Sequence, residues 1–208
     1  MGRPPSDIAP RIVHAARRRF LAEGVEGASL RAIAREAGTS IGMVYYYYPT
    51  KDDLFLGVVE EVYVALLADL ETALGRTLPV EDRVRGLYRR LGALTDDERE
   101  VVRLVIREIL VSPARLGRLV KRFQRGHLPL LAQLAEDGVK AGVFRKDLSP
   151  ALLLAAIGCL GGPAQAFLSA ISEHLPSATP LPAADNRSTA LVDVLLSGIG
   201  TRPAARKT

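Results

Sequence analysis

Two short segments of helical periodicity, separated by one glycine, constrain the fold of this 208-residue chain more than any other feature. Ser29 can cap the first segment, whose apolar residues recur at the spacing of one helix face. Gly38 follows it, where a left-handed backbone conformation costs little. Ser40 can cap a second short helix, which Pro49 brings to an end. Two short helices joined by so tight a turn predict a helix-turn-helix.

The rest of the chain also favours helices. Leu, Ala, Val and Arg are abundant, aromatic residues make up 5% and Trp is absent, which speaks against a β-sandwich. We therefore expect an all-α protein with an N-terminal three-helix helix-turn-helix head and a C-terminal helical body. We expect no apolar run of the roughly 20 residues needed to cross a bilayer. Caps and apolar spacing predict helices at about residues 6–23, 52–74, 80–94, 97–111, 114–141, 149–172 and 188–198. Gly24 should end the first of them, Pro129 should kink the longest, and Ser149 should cap the one that follows it. A loop should span residues 173–187.

Positive charge is concentrated at the two ends of the chain. Residues 1–51 carry eight Lys or Arg and four Asp or Glu, residues 52–201 carry 17 and 19, and residues 202–208 carry three basic residues and no acid. A basic N-terminal quarter favours a polyanionic partner, because binding releases the counterions condensed on it. Charge alone is equally compatible with a basic, solvated surface.

The helix-turn-helix segment follows a known family pattern at Ser29, Ile33, Ala34, Ala37, Gly38, Ser40, Gly42, Tyr45, Tyr47, Lys51 and Leu54. In these residues it resembles the DNA-binding region of the TetR family of bacterial transcriptional regulators. The resemblance is close over residues 6–54, and beyond them only length and helical content agree. The chain departs from the family pattern at Thr39, where Val is usual, and at Tyr48, where Phe is usual.

This resemblance implies a DNA-binding domain at residues 1–51, an effector-binding and dimerisation domain at 52–201 and a basic, disordered tail at 202–208. Gly42 would let the backbone approach DNA closely, and the resemblance assigns Tyr47 and Lys51 to phosphates. The helix step of about 100° per residue prevents four consecutive tyrosines from all facing inward. The expected DNA contacts are Ser29, Arg31, Thr39, Ser40, Ile41, Gly42, Met43, Tyr45, Tyr46, Tyr47 and Lys51.

The resemblance further implies a homodimer with a small-molecule effector pocket. Small residues at 155–166 would allow close packing against the last helix, although packing within one chain remains the alternative. The expected interface residues are Leu160, Ala164, Phe167, Leu191, Val192, Leu195 and Leu196. The expected pocket residues are Leu91, Arg107, Val111, Phe123, Gln124, His127 and Phe167. The alternative is that these side chains lie at the surface or are buried polar groups with satisfied hydrogen bonds.

These expectations favour a dimeric repressor that a small molecule releases from a palindromic operator. The alternatives are an effector-independent or activating DNA-binding protein and, remotely, an enzyme. His14, His127 and His174 form no motif with Cys159, which we expect to be a buried, inert thiol in an apolar helix. One cysteine excludes an internal disulfide and fits a cytoplasmic location. We expect no cofactor, no metal and no membrane association.

Overall fold

The computed structural model describes residues 7–171 and 182–200. In these ranges the chain is helical, apart from an isolated bridge between Phe144 and Gly200, and this confirms the all-α prediction. The helices are α1 (Ile8–Gly27), α2 (Leu30–Glu36), α3 (Ile41–Tyr47), α4 (Lys51–Ala73), α5 (Val80–Gly92), α6 (Asp96–Val111), α7 (Pro113–Phe123), α8 (His127–Lys140), α9 (Pro150–Gly161), α10 (Pro163–Ile171) and α11 (Ala184–Ile199).

The helices form two compact units. Within the described residues, unit 1 contains 7–66 and 96–121, and unit 2 contains 67–95, 122–171 and 182–200. The helix-turn-helix therefore shares its unit with α6 and most of α7. The predicted boundary at residue 51 separates two functions, whereas the two units are defined by packing. The boundary therefore stays a prediction.

Local signals explain the first three helices of unit 1. The helical conformation of α1 breaks at Gly24, whose φ of 78° is the left-handed value expected of a helix stop. The hydroxyl of Ser29 accepts a hydrogen bond from the amide of Ala32 at 3.4 Å and caps α2. The hydroxyl of Ser40 caps α3 in the same way. Gly38, with a φ of 62°, makes the turn between them.

The core of unit 1 gathers apolar side chains from these helices and from α4. Ile12, Ile33, Val44 and Phe55 are fully buried. Tyr48, which stands where the family pattern has Phe, packs closely on α4. A Cβ atom at Gly57 would come within 2.7 Å of the Tyr48 ring. The absence of a side chain at Gly57 therefore allows the Tyr48 ring to approach α4 closely.

Unit 2 is built on α5, α8, α9 and α11. Tyr88, Leu134, Leu153 and Ile157 are buried in its core. The Tyr88 hydroxyl donates a hydrogen bond to the carbonyl of Ile157 at 3.1 Å. Phe144 lies directly against Gly138, where any Cβ atom would collide with the ring. Unit 2 thus depends on close apolar packing between helices.

Two predicted long helices are each divided in the structure. The segment 114–141 forms α7 and α8, with the break at residues 124–126 and not at Pro129. Pro129 lies in the first turn of α8, where a missing amide hydrogen costs no helical hydrogen bond. The segment predicted at 149–172 forms α9, capped by Ser149 as predicted, and α10, which begins at Pro163. Helix α11 begins at Ala184, earlier than predicted. The predicted loop from residue 173 and tail at 202–208 fall largely outside the described residues.

The expectation that no apolar run is long enough to cross a bilayer is wrong. The 22 residues Pro150–Ile171, with a mean hydropathy of 1.8, reach that length and composition. Apolar helices of soluble proteins meet the same criteria. Here the run is divided at Gly162, and Leu153, Ile157 and Gly161 are buried within unit 2.

Candidate nucleic-acid interface

Helix α3 presents nearly all of its surface away from the core. Val44 is the only buried residue of this helix. The exposed fractions of Tyr45 and Tyr46 are 52% and 69%. The ring of Tyr47 packs edge-to-face on that of Tyr46, with 5.2 Å between centroids, and is partly covered. Because Val44 alone packs into the core, the exposed tyrosines of α3 are accessible to another molecule.

Gly42 is exposed on the same helix. A Cβ atom at this position would lie 3.7 Å from the Ser40 hydroxyl, which is an ordinary contact. Packing within the chain therefore does not demand a glycine here. The missing side chain leaves space on the outer face of α3, as expected where another molecule approaches the backbone. Ile41 and Met43 flank it and are partly exposed, and so is Thr39 in the preceding turn.

Lys51, at the start of α4, makes a contact within the protein. Its ammonium group donates a hydrogen bond to the carbonyl oxygen of Glu26 at 2.7 Å. This bond holds the end of the side chain beside the C-terminus of α1. The ammonium has further protons to donate, so the contact is compatible with the predicted role.

The arginines of α1 are largely neutralised by carboxylates. Arg17 is buried and lies within 4 Å of Glu61, Asp97 and Glu100. Arg18 and Arg19 both pair with Glu36, and Arg19 also pairs with Glu23. The hydrogen bond from Arg19 lowers the pKa of Glu36. Much of the positive charge counted in the sequence is therefore engaged within unit 1.

Helix α2 carries basic groups that remain available. Arg31 and Arg35 are exposed, and neither forms an ion pair with a described residue. Arg31 was among the expected contacts, whereas sequence reasoning missed Arg35. The spacing of four residues, which puts both side chains on one helix face, could have identified it.

The predicted dimer residues divide between buried and exposed positions. Val192 and Leu195 are buried in unit 2, which contradicts their assignment to an interface, because α11 turns this face towards α5 and α9. Phe167 is 63% exposed. Leu152 and Val194 are exposed large apolar side chains that sequence reasoning missed. The partly exposed members of the predicted set are Leu160, Ala164, Leu191 and Leu196.

The predicted pocket residues occur in both units. Arg107, in unit 1, donates hydrogen bonds to the carbonyls of Phe20 and Leu21 in α1. Val111, Gln124 and Phe167 are exposed, and Leu91 is partly exposed.

The rings of Phe123 and His127 pack with 4.7 Å between centroids. Burial lowers the pKa of His127 to about 4. A half-open cavity of about 340 Å³ in unit 2 lies between α8 and α9, and none of the seven predicted residues lines it. An effector pocket formed by these seven residues stays a prediction.

Cys159 and the three histidines were the groups considered for catalysis. Cys159 is exposed, contrary to the expected buried thiol, because it lies on the outer face of α9. Among the described residues, no three His, Cys, Asp or Glu side chains are grouped to hold a metal ion. His174 lies outside the described residues.

Comparison with known proteins identifies the N-terminal segment. The family model described as "Bacterial regulatory proteins, tetR family" matches residues 12–58, from α1 into α4. An uncharacterized HTH-type transcriptional regulator of Haemophilus influenzae is 28% identical over 91 residues, which cover 44% of this chain and 49% of that protein. The HTH-type transcriptional repressor NicS of Pseudomonas putida is 27% identical over 140 residues, 66% of each chain. The chain thus spans about half to two thirds of the length of these relatives.

The fold has counterparts among solved structures. The transcriptional regulator FadR of Bacillus subtilis, in complex with stearoyl-CoA, superposes with a TM-score of 0.73 at 17% identity, over 91% of this chain and 98% of that one. The structural similarity to FadR therefore includes the C-terminal helices as well as the helix-turn-helix. Residues 12–58 thus match the tetR family of bacterial regulatory proteins, and 91% of the chain shares the fold of FadR.

Proposed function

We propose that this protein is a DNA-binding transcriptional regulator that reads an operator with α3. The observation that carries this proposal is the exposure of α3, with Val44 as its single buried residue. A recognition helix in the major groove needs short or donor-bearing side chains at base edges and basic groups on flanking phosphates. Tyr46 and the open backbone at Gly42 suit the groove. Arg31, Arg35 and Lys51 suit the phosphates.

The regulator acts as a homodimer on a palindromic operator. One short recognition helix contacts few base pairs, and a two-fold dimer doubles them. Leu152, Phe167 and Val194 are exposed apolar side chains of α9, α10 and α11 and provide the surface for a second copy. Leu160, Ala164, Leu191 and Leu196 are partly exposed on the same three helices and complete this proposed interface.

A small-molecule effector releases the protein from DNA, so that it functions as a cytoplasmic repressor. The repressor name of the NicS relative and the acyl-CoA bound to the FadR structure support this reading. The ligand would stabilise the conformation that binds the operator less well. A regulator that needs no effector, or that activates transcription, is the second candidate.

Selection of bound sequences from random DNA tests the proposal. The full-length protein is expected to enrich a palindrome. Tyr46→Ala should weaken binding to it roughly tenfold, the cost of one lost base contact. Arg31→Ala and Arg35→Ala should each weaken binding to all sequences and reduce the salt dependence.

Lys121→Ala is the matched control for the two arginine variants. It removes one exposed positive charge of unit 1 from α7, and affinity should change little. Absence of any enriched sequence would refute the proposed function. Enrichment of a site without two-fold symmetry would refute the dimeric arrangement alone.

A further inference from the structure

Arg115, near the start of α7, is a buried arginine surrounded by carboxylates. Its Nε donates a hydrogen bond to Asp52 at 2.9 Å, and its two terminal nitrogens donate to Glu108 at 2.9 Å and Glu26 at 2.6 Å. The three acids belong to α4, α6 and α1. One guanidinium therefore joins four helices of unit 1, and we call these four side chains the Arg115 junction.

The Arg115 junction fixes the orientation of the three carboxylates around the guanidinium as well as their distances from it. A guanidinium is planar and presents its N–H groups in a rigid fork, so three carboxylates around it must keep their mutual arrangement. Glu108 is buried and also accepts the amide hydrogen of Val25 at 3.4 Å. Arg118 supports the same region, because its guanidinium lies 3.0 Å from the carboxylate of Asp53 in the first turn of α4.

The position of the junction in the chain gives it a connection to α3. Helices α2 and α3 lie between Glu26 and Asp52, and both of these residues bind Arg115. The backbone carbonyl of Glu26 is also the acceptor for Lys51. A single side chain of α7 thus holds both ends of the helix-turn-helix segment.

We propose that Arg115 is a positioning residue for operator recognition, which rests on the DNA-binding function proposed above. By fixing the end of α1 and the start of α4 against α6 and α7, it sets the orientation in which α3 meets DNA. Release of the two outer acids would leave α2 and α3 folded but free to tilt, because their caps and the buried Val44 do not involve Arg115.

The double variant Glu26→Gln/Asp52→Asn tests this role. The Glu26 side chain is 88% exposed and that of Asp52 is partly exposed, while Glu108 still pairs with Arg115, so the fold should survive. The matched control is Asp7→Asn/Glu23→Gln. It removes the same charge from unit 1, but among the described residues these acids pair only with Arg11 and Arg19 along α1.

The change in net charge and the loss of positioning by Arg115 predict opposite changes in DNA affinity. Removing two acids strengthens attraction to DNA, so the control should bind the selected operator as tightly as the wild type or more tightly. The Glu26→Gln/Asp52→Asn protein should bind it about tenfold more weakly despite the same charge, with an unchanged melting temperature. Hydrogen exchange should become faster at the amides of residues 24–28 and 51–54 in this variant only.

The outcomes separate the two proposals. If the wild type selects no sequence, the proposed function fails, and unchanged hydrogen exchange would then overturn the junction as well. If the wild type selects an operator and the junction variant binds it as tightly as the control does, positioning by Arg115 is overturned.

Discussion

The two units of this protein bury different kinds of polar group. Among the described residues of unit 1, the buried polar side chains are charged and of both signs, namely Arg17, Glu98, Glu108 and Arg115. In unit 2 they are Arg83, which pairs with Asp137 at 2.8 Å, and the neutral side chains Gln165 and Ser188. Both neutral side chains donate hydrogen bonds to the carbonyl of Tyr88.

This difference bears on what each unit can do. A buried ion pair contributes little net stability, since desolvation offsets attraction, but it tolerates few alternative geometries. Apolar contacts are less directional and can be rearranged at modest cost. We interpret unit 1 as the part that holds α3 in a defined orientation, and unit 2 as the part that can adapt to a ligand or a second copy.

Removal of Arg115 should have the largest effect on stability. Arg115→Ala removes the closer of the two arginines that pair with the buried carboxylate of Glu108 and leaves Arg107 at 3.5 Å, which should cost about 3–4 kcal/mol of unfolding free energy. Arg118→Ala is the control, because this arginine pairs with Asp52 and Asp53 at a more exposed position. It should cost less than about 1 kcal/mol. Urea unfolding followed by circular dichroism measures both, and equal losses would contradict a special role for buried charge in unit 1.

Acid should destabilise unit 2 through one buried histidine. Burial, with a smaller effect of Arg122, lowers the pKa of His127 from 6.5 to about 4. Between these values the unfolded chain binds a proton that the folded chain excludes. This histidine therefore costs nothing above pH 6.5, and stability falls as the pH drops towards 4, by up to about 3 kcal/mol.

His127→Gln isolates this contribution from that of the carboxylates. The variant should lose less stability than the wild type between pH 6.5 and 4 and should match its pH dependence above that range. Urea titrations at each pH provide the measurement. Parallel losses in the two proteins would mean that His127 binds its proton as readily in the folded chain as in the unfolded chain.

The sequence predicted the helix-turn-helix closely because its signals are local. Ser29 and Ser40 cap helices that begin at the next residue, and the glycines at 24 and 38 adopt the left-handed conformation at the expected stops. The same signals misplaced the break between α7 and α8. Pro129 predicts an interruption within the segment, but the first turn of a helix accommodates a proline.

The Arg115 junction could not be predicted from one sequence. Its partners Glu26 and Asp52 are separated from it by 89 and 63 residues. Arg115 lies in a helix that also carries Arg118 and Lys121, so its charge is typical of a solvated face. Burial of Val192 and Leu195 was missed for a related reason, since helical periodicity shows that a face is apolar and not which molecule covers it.

The smallest effect is expected from a neutral hydrogen bond of unit 2. Burial raises the pKa of Tyr88, so its hydroxyl remains protonated and donates to the carbonyl of Ile157. Tyr88→Phe keeps the ring and removes this bond, which should cost about 1 kcal/mol and lower the melting temperature by about 2–4 °C. Tyr45→Phe, at an exposed ring of α3, should change it by less than about 0.5 kcal/mol. A loss for Tyr88→Phe as large as that for Arg115→Ala would remove the contrast between the units, because a neutral bond would then matter as much as a buried charge.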